Sequence, residues 1–247
     1  MKNKVNALSA KERKKFIRKR FAYEGFLGKI SEIKDIKWPD YTEEHEEKGN
    51  HLVYKRIADV EKNAERIAEI FRRGIDELAG NKEYEWHHDP EKIVEKYHSG
   101  DWNFYGVYCE NKLISVVSML INRGRHSMQW VWGCVDPEER GKGVWKYHGR
   151  YLDRIVEKSG AQMGIVFCVT THALSQRNVE AAGYRPIGCF AGGEIMGGSD
   201  GQYYRQNVIY YGKLYGQGMK LMQPFDTMQL APMAEELVKV IKKWWEK

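Results

Sequence analysis

The sequence lacks the features that mark several large protein classes. Four cysteines are far apart and form no CxxC pair, which gives zinc or dithiol redox sites little support: Cys109, Cys134, Cys168 and Cys189. Each lies in an apolar, strand-like stretch, and we expect buried free thiols. No apolar run is long enough to cross a membrane, and the N-terminus has no signal segment. We therefore expect a soluble, cytoplasmic protein without a membrane partner.

The sequence also lacks a large excess of charge of either sign. Among 247 residues, 40 Lys and Arg against 34 Asp and Glu give a net charge of +6. This mild excess suits a small anionic ligand and does not favour a nucleic-acid partner. A basic run at 11–20 could contact RNA or a membrane surface, although we favour the solvated face of a helix.

The sequence predicts three regions. Residues 1–50 form a helical extension and linker, with a Ser9–Glu12 capping box and an acidic, polar loop from Trp38 to Asn50. Residues 51–215 form the compact domain. Residues 216–247 form a tail and a helix that begins near Ala231 and carries Trp244 and Trp245, which could dock on the domain or on a homodimer partner.

Hydrophobic periodicity predicts an α/β fold, a mixed sheet with helices on its faces. The predicted strands are 51–57, 104–109, 113–120, 128–135, 164–169, 185–190 and 206–211. The predicted helices follow Asp59, run from Asp89–Pro90 to Gly100, and cover 144–158 and 175–182. A glycine-rich loop is expected at 191–202.

The strongest local signal is the segment Cys134–Val144 (CVDPEERGKGV), which runs from a strand through a turn into a helix. Its two glycines allow successive backbone N–H groups to converge at the positive end of the helix, where a phosphate binds. The segment is not a P-loop, because no Ser or Thr follows Gly-Lys, and it is not a Rossmann turn, because Lys146 replaces the third glycine.

This segment resembles the acetyl-CoA motif of the GNAT N-acetyltransferases, Arg/Gln-x-x-Gly-x-Gly/Ala after a strand that ends in Val-x-Pro. The resemblance continues through Thr171–Tyr184, which is similar to the family's last helix with its closing Gly-Tyr. It covers about 51–215 in element order. It implies the GNAT acyl-CoA N-acyltransferase fold with N- and C-terminal helical extensions, and acetyl-CoA as co-substrate without a metal.

The resemblance also implies a cofactor site. Backbone amides of Arg140, Gly141, Lys142, Gly143, Val144 and Trp145 would hold the CoA pyrophosphate. The backbone of Cys134 and Val135 would pair with the pantetheine arm. Ser175 would lie near the distal pantetheine or the sulfur. Two departures stand out: Trp145 replaces a small residue, and Val179 falls where many relatives place the tyrosine that protonates the leaving thiolate.

The acceptor site is less well marked. The central strand offers Gln129 but no carboxylate base, so we name His172 as a candidate for proton transfer, with helix capping as its alternative. Glu194 in the glycine-rich loop is a second candidate, with an exposed loop charge as its alternative. Tyr203 and Arg205 beside that loop could recognise the acceptor. The Trp86–Asp89 run (WHHD) resembles a metal cluster, but Asp89 is needed as a helix cap.

Three functional hypotheses follow. The first is transfer of an acetyl group from acetyl-CoA to a primary amine of a small metabolite, such as an amino acid or polyamine. The second is a CoA-binding regulatory protein without turnover, consistent with the missing tyrosine and strand glutamate. The third is a protein- or RNA-directed acetyltransferase that uses the basic N-terminal helix.

Overall fold

A computed structural model describes residues 9–23, 28–198, 200–228 and 230–245. The strands are β1 (Glu43–Glu47), β2 (Asn50–Arg56), β3 (Trp102–Cys109), β4 (Lys112–Asn122), β5 (Ser127–Val135), β6 (Met163–Val169), β7 (Arg185–Gly197) and β8 (Tyr203–Leu214). The helices are α1 (Ala10–Tyr23), α2 (Val60–Gly74), α3 (Pro90–His98), α4 (Trp145–Ser159), α5 (Leu174–Ala181), α6 (Gln217–Lys220) and α7 (Pro232–Trp245).

The eight strands form one mixed sheet in the order β1-β2-β3-β4-β5-β6-β8-β7. All neighbouring strands are antiparallel except β5 and β6. Helices α2 and α3 bury their apolar stripes on one face of the sheet, and α4 and α5 cover the other. The predicted fold class is confirmed.

Local signals placed most elements correctly. Asp89 caps α3 by accepting hydrogen bonds from the Glu91 and Lys92 amides, and Ser9 and Glu12 form the reciprocal capping box of α1. The sequence also predicts Phe16, Ile17 and Phe21 as the apolar contacts of this helix. Phe16 is exposed, and the side chains of Ile17 and Phe21 lie outside the part of the chain that the structure describes.

Two segments differ from the prediction. The stretch from Trp38 to Asn50 is not a loop, because β1 lies within it and pairs with β2, and the Tyr151 hydroxyl donates to the Tyr41 carbonyl (2.9 Å). The glycine-rich loop is also shorter than expected, since β7 runs to Gly197 and β8 begins at Tyr203. In both segments, pairing with a neighbouring strand outweighs weak strand propensity.

All four cysteines are free thiols on strands; Cys109, Cys134 and Cys168 are buried as expected, whereas Cys189 is exposed. Among the described residues, no helix is both long and apolar enough to cross a bilayer. The same residues contain no group of three His, Cys, Asp or Glu side chains arranged to hold a metal ion.

Candidate active site

The sheet opens into a cleft where β5 and β6 separate. These parallel strands pair only from Ser127–Met163 to Trp130–Val166, and beyond that point they diverge. A cavity of about 940 Å³ fills the gap and extends from the start of α4 to the β7–β8 hairpin. Ligands in open α/β sheets bind in this kind of crevice, beyond the carboxyl ends of parallel strands.

A β-bulge in β5 lies where the two strands separate. The register of β4 and β5 shifts by one residue between Val117–Gly133 and Met119–Trp130. The Ser118 hydroxyl spans the irregularity, because its oxygen accepts a hydrogen bond from the Trp132 amide (3.3 Å). A hydrogen bond to a buried hydroxyl therefore stabilises the bulge.

His87 completes that support. Its Nδ1–H donates to the Tyr84 carbonyl (2.8 Å), so Nε2 accepts from the Ser118 hydroxyl (2.8 Å). Burial lowers the pKa of His87 to about 3, which keeps the ring neutral and fixes this tautomer. His87, the first histidine of the WHHD run, therefore stabilises the bulge through its hydrogen bond with Ser118.

We expect Ser118→Ala to lower the free energy of unfolding by about 2 kcal/mol, because His87 Nε2 and the Trp132 amide both lose a buried partner. The matched control is Ser115→Ala on the same strand, where the buried hydroxyl only donates to the Cys134 carbonyl (2.8 Å). Its expected loss is about 1 kcal/mol. Urea denaturation measures both, and equal losses would contradict a special role for Ser118.

The predicted anion loop lines one end of the cleft. Gly141 and Gly143 have positive φ angles of 89° and 84°, which glycine adopts without strain. Within the described part of the chain, the backbone amides from Gly141 to Trp145 donate to no acceptor. They stand at the positive end of the 15-residue helix α4, so this end of the cleft fits a phosphate group.

Not every loop residue faces the cleft. Arg140, Gly141, Gly143, Val144 and Trp145 line it, whereas the Lys142 ammonium pairs with Glu139 (2.7 Å). That carboxylate also pairs with Lys112 (2.6 Å).

The edge of β5 beyond the bulge carries open backbone groups. The Asp136 amide donates to the Ile114 carbonyl on β4 (2.9 Å), so by alternation the N–H and C=O of Val135 point into the cleft. The backbone of Gly133 points the same way, while that of Cys134 faces β4. The backbone groups of Val135 and Gly133 therefore face the cleft, whereas those of Cys134, which the resemblance assigns to the pantetheine arm, do not. The Cys134 thiol is buried against the Ile70 carbonyl, and burial raises its pKa.

Ser175 lines the cavity on the β6 side with a buried hydroxyl that lies beside the Cys168 thiol and has no nitrogen or oxygen partner among the described residues. His172 also lines the cavity, and its Nδ1 accepts a hydrogen bond from the Leu174 amide (3.3 Å). This contact is the capping alternative that the sequence left open. In the neutral ring the hydrogen is then on Nε2, which can act as a donor.

The remaining predicted residues lie outside the cavity. Gln129 is paired with strands on both sides, at Leu120 and Ile165. Tyr203 and Arg205 are exposed on the opposite face of the β7–β8 hairpin from the cleft. Glu194 lies on β7 rather than in a loop, is half-buried, and accepts a hydrogen bond from Asn81 (3.3 Å).

The structure adds cleft residues that sequence reasoning missed. Glu77 follows α2, and Met196, Tyr204 and Gln206 come from the β7–β8 hairpin. Tyr204 is the one tyrosine among the described residues that line the cavity, and burial, aided by Glu77, raises its pKa, so the hydroxyl stays protonated. Strand alternation could have indicated these positions, had the hairpin been recognised as paired up to Gly197.

Comparison with known proteins gives structural matches only. No protein-family model and no curated protein matches the sequence. Among solved structures, the ribosomal-protein-S5-alanine acetyltransferase from Vibrio fischeri is similar with a TM-score of 0.54 and 20% identity, covering 71% of this chain and 97% of that chain. The spermidine N-acetyltransferase from Vibrio cholerae, in complex with CoA and spermine, has a TM-score of 0.54 and 15% identity, covering 68% and 98%.

Identities this low establish the fold and leave the activity to be argued from the site. The matched structures are N-acetyltransferases of the family that the Cys134–Val144 motif resembles. The chain therefore has the fold of the GNAT N-acetyltransferases.

Proposed function

We propose that this protein is an acyl-CoA-dependent N-acetyltransferase that moves an acetyl group from acetyl-CoA to a primary amine of a small molecule. The observation that carries the proposal is the run of amides from Gly141 to Trp145, which opens into the cleft between β5 and β6 and has no acceptor among the residues that the structure describes. The buried Ser175 hydroxyl and the open edge of Val135 line the same cavity. These groups fit a long ligand with a phosphate at one end and amides along its arm.

Acetyl-CoA supplies a thioester: its C–S bond breaks as a C–N bond to the amine forms, the amine loses a proton and the thiolate gains one. The residues of this chain position the cofactor and supply the proton to the leaving thiolate. Loop amides 141–145 bind the pyrophosphate, and Gly133 and Val135 pair with the pantetheine arm. Ser175 orients the thioester end.

We assign proton transfer to residues at the end of the cleft away from the 141–145 loop. Burial, together with Glu83, raises the pKa of Glu194, which suits a group that accepts a proton from an ammonium through water. His172, with Nδ1 already engaged, is the second candidate and donates through Nε2–H. Tyr204 replaces the tyrosine missing at Val179 as the proton donor to the thiolate.

The test is free-thiol release from acetyl-CoA against a panel of small amines and a lysine-containing protein. Release that depends on one class of small amine supports the proposal. Tight acetyl-CoA binding without release for any acceptor would favour a non-catalytic CoA-binding protein, and release with protein lysines alone would overturn the small-molecule acceptor.

Lys48 gives a further prediction for the cofactor end. It lies at the tip of the β1–β2 hairpin, lines the cavity, and donates to the Gly141 carbonyl (3.0 Å). We expect Lys48→Gln to raise the KM for acetyl-CoA about fivefold, the upper range for an exposed ion pair. Steady-state kinetics with Lys62→Gln, an exposed lysine on α2, as control will measure it. An unchanged KM would remove Lys48 from the site.

A further inference from the structure

The cleft has opposite charges at its two ends. Near α4 it is lined by Lys48, Arg140 and Arg177, none of which has a carboxylate partner within the described ranges. At the hairpin end it is lined by Glu77. Two further carboxylates, Glu83 and Glu194, lie near Tyr84 and add to the effect of burial, which raises the pKa of that tyrosine. In the part of the chain that the structure describes, none of these three carboxylates is ion-paired with Lys or Arg.

Strand register places Glu194 on the cleft side of the hairpin. Glu194 lies opposite Gln206, and Met196 lies opposite Tyr204. Directly opposed residues of antiparallel strands share a face, and three of these four residues line the cavity. The Glu194 carboxylate is therefore on the face that borders the acceptor end, where Asn81 is its hydrogen-bond donor.

Gln206 independently points to a ligand. Its side chain is 5% exposed and lines the cavity, and its Oε1 is buried without a hydrogen-bond donor among the described residues. The other end of the amide is held, because Nε2 donates to Thr171 Oγ1 (3.4 Å). A buried acceptor left unpaired is costly, so a ligand that donates an N–H at this place is favoured.

Aromatic rings complete the acceptor end. Trp132, Phe167 and Tyr204 line the cavity, and Tyr210 stacks on Phe167 with 3.9 Å between ring centroids. Rings beside carboxylates bind the methylenes and the ammonium group of an alkylamine. Arg125 acts electrostatically on Tyr210, but no ion pair joins it to the three carboxylates in the described segments.

We infer that the acceptor is an aliphatic diamine or polyamine, whose second ammonium group is bound by Glu77 and the Gln206 side-chain oxygen while its first amine is acetylated. The inference rests on the proposed function and selects among small amines. An amino acid is disfavoured, because its carboxylate would face the Glu77 carboxylate, which has no ion-pair partner in the described part of the chain. The amine that reacts must be neutral, and the second ammonium keeps the substrate bound without taking part in the reaction.

Three probes with the same methylene chain test this. Putrescine carries a second ammonium, butylamine carries none, and δ-aminovalerate carries a carboxylate. We expect kcat/KM to be roughly 10- to 100-fold higher for putrescine than for butylamine, with δ-aminovalerate lowest, as one charged hydrogen bond allows. In Glu77→Gln the preference for putrescine over butylamine should fall about tenfold. Glu157→Gln, which removes an exposed carboxylate on α4, should keep the wild-type preference.

A binding measurement separates this inference from the proposed function. Calorimetry with putrescine and butylamine in the presence of CoA reports the acceptor site whether or not turnover occurs. Tighter binding of putrescine, weakened in Glu77→Gln, supports the inference even without thiol release. Equal turnover or equal binding of the two amines would overturn it, while thiol release with butylamine would leave the proposed acetyltransferase in place.

Discussion

Gly141→Glu is expected to weaken acetyl-CoA binding on the order of 100-fold and to abolish detectable thiol release. The substitution places a carboxylate beside the amides that we propose bind the pyrophosphate, and juxtaposed like charges cost several kcal/mol. Gly141 is the better position for this test, because a Cβ there meets nothing within 4 Å, whereas a Cβ at Gly143 would lie 2.4 Å from Glu47 Cγ. Calorimetric titration with acetyl-CoA measures the effect.

Gly100→Glu is the matched control. Gly100 follows α3 with a φ of 77°, and a Cβ there also meets nothing within 4 Å. Both variants therefore carry a similar backbone strain of about 1 kcal/mol and the same added charge. Acetyl-CoA affinity should stay at the wild-type value in Gly100→Glu, and equal loss in the two variants would show that strain, not phosphate binding, explains the result.

Asp136→Asn is expected to lower the free energy of unfolding by about 3 kcal/mol at neutral pH. Asp136 is fully buried between β5 and the anion loop, and its Oδ2 accepts from Arg66 (2.6 Å) and Arg73 (3.3 Å). Its Oδ1 accepts from the Glu138 amide (3.2 Å), which starts the turn into the loop. Loss of the charge leaves two guanidinium groups of α2 without their buried partner.

The pH dependence of this variant has a defined sign. Burial alone would raise the pKa of Asp136, but hydrogen bonds from Arg66 and from the Glu138 amide lower it below the ordinary 3.8. A carboxylate with a lowered folded-state pKa stabilises the fold above its unfolded pKa and loses that contribution as the pH falls. The stability difference between wild type and variant should therefore shrink below about pH 4.

Glu138→Gln is the control for this prediction, because Glu138 also pairs with Arg73 (2.6 Å) but its side chain is 69% exposed. Its expected effect is below about 0.5 kcal/mol. Urea denaturation across a pH series measures both variants. A difference between wild type and Asp136→Asn that persists unchanged in acid would contradict the ion-pair explanation.

Local chemistry explains which parts of the fold were predictable. The Asp89–Pro90 start of α3, the Gly160 end of α4 and the Glu110–Asn111 turn follow from short-range backbone preferences, and the structure has all three. The anion loop was equally readable, because two glycines before a helix determine where the amides point. Strand β1 was not, because its EEHEE sequence becomes a strand only by pairing with β2.

The acceptor end of the cleft depends on contacts that are distant in sequence. Gln206 and Glu77 border one cavity only because the β7–β8 hairpin packs near the end of α2. The predicted residues Tyr203 and Arg205 each lie one position before a cavity-lining residue of β8, Tyr204 and Gln206, and one position along a strand exchanges one face for the other. The register of β7 and β8 contains two irregularities, so sequence alone could not decide this face.

The most direct test of the central claim is to incubate the protein with acetyl-CoA and each member of a panel of small amines that includes putrescine, and to quantify free thiol and acetylated amine together. The cleft predicts equal amounts of the two products, with neither formed when the amine is omitted. Thiol release without acetylated amine would make the protein a thioesterase, and acetyl-CoA binding without either product would contradict catalysis in this cleft.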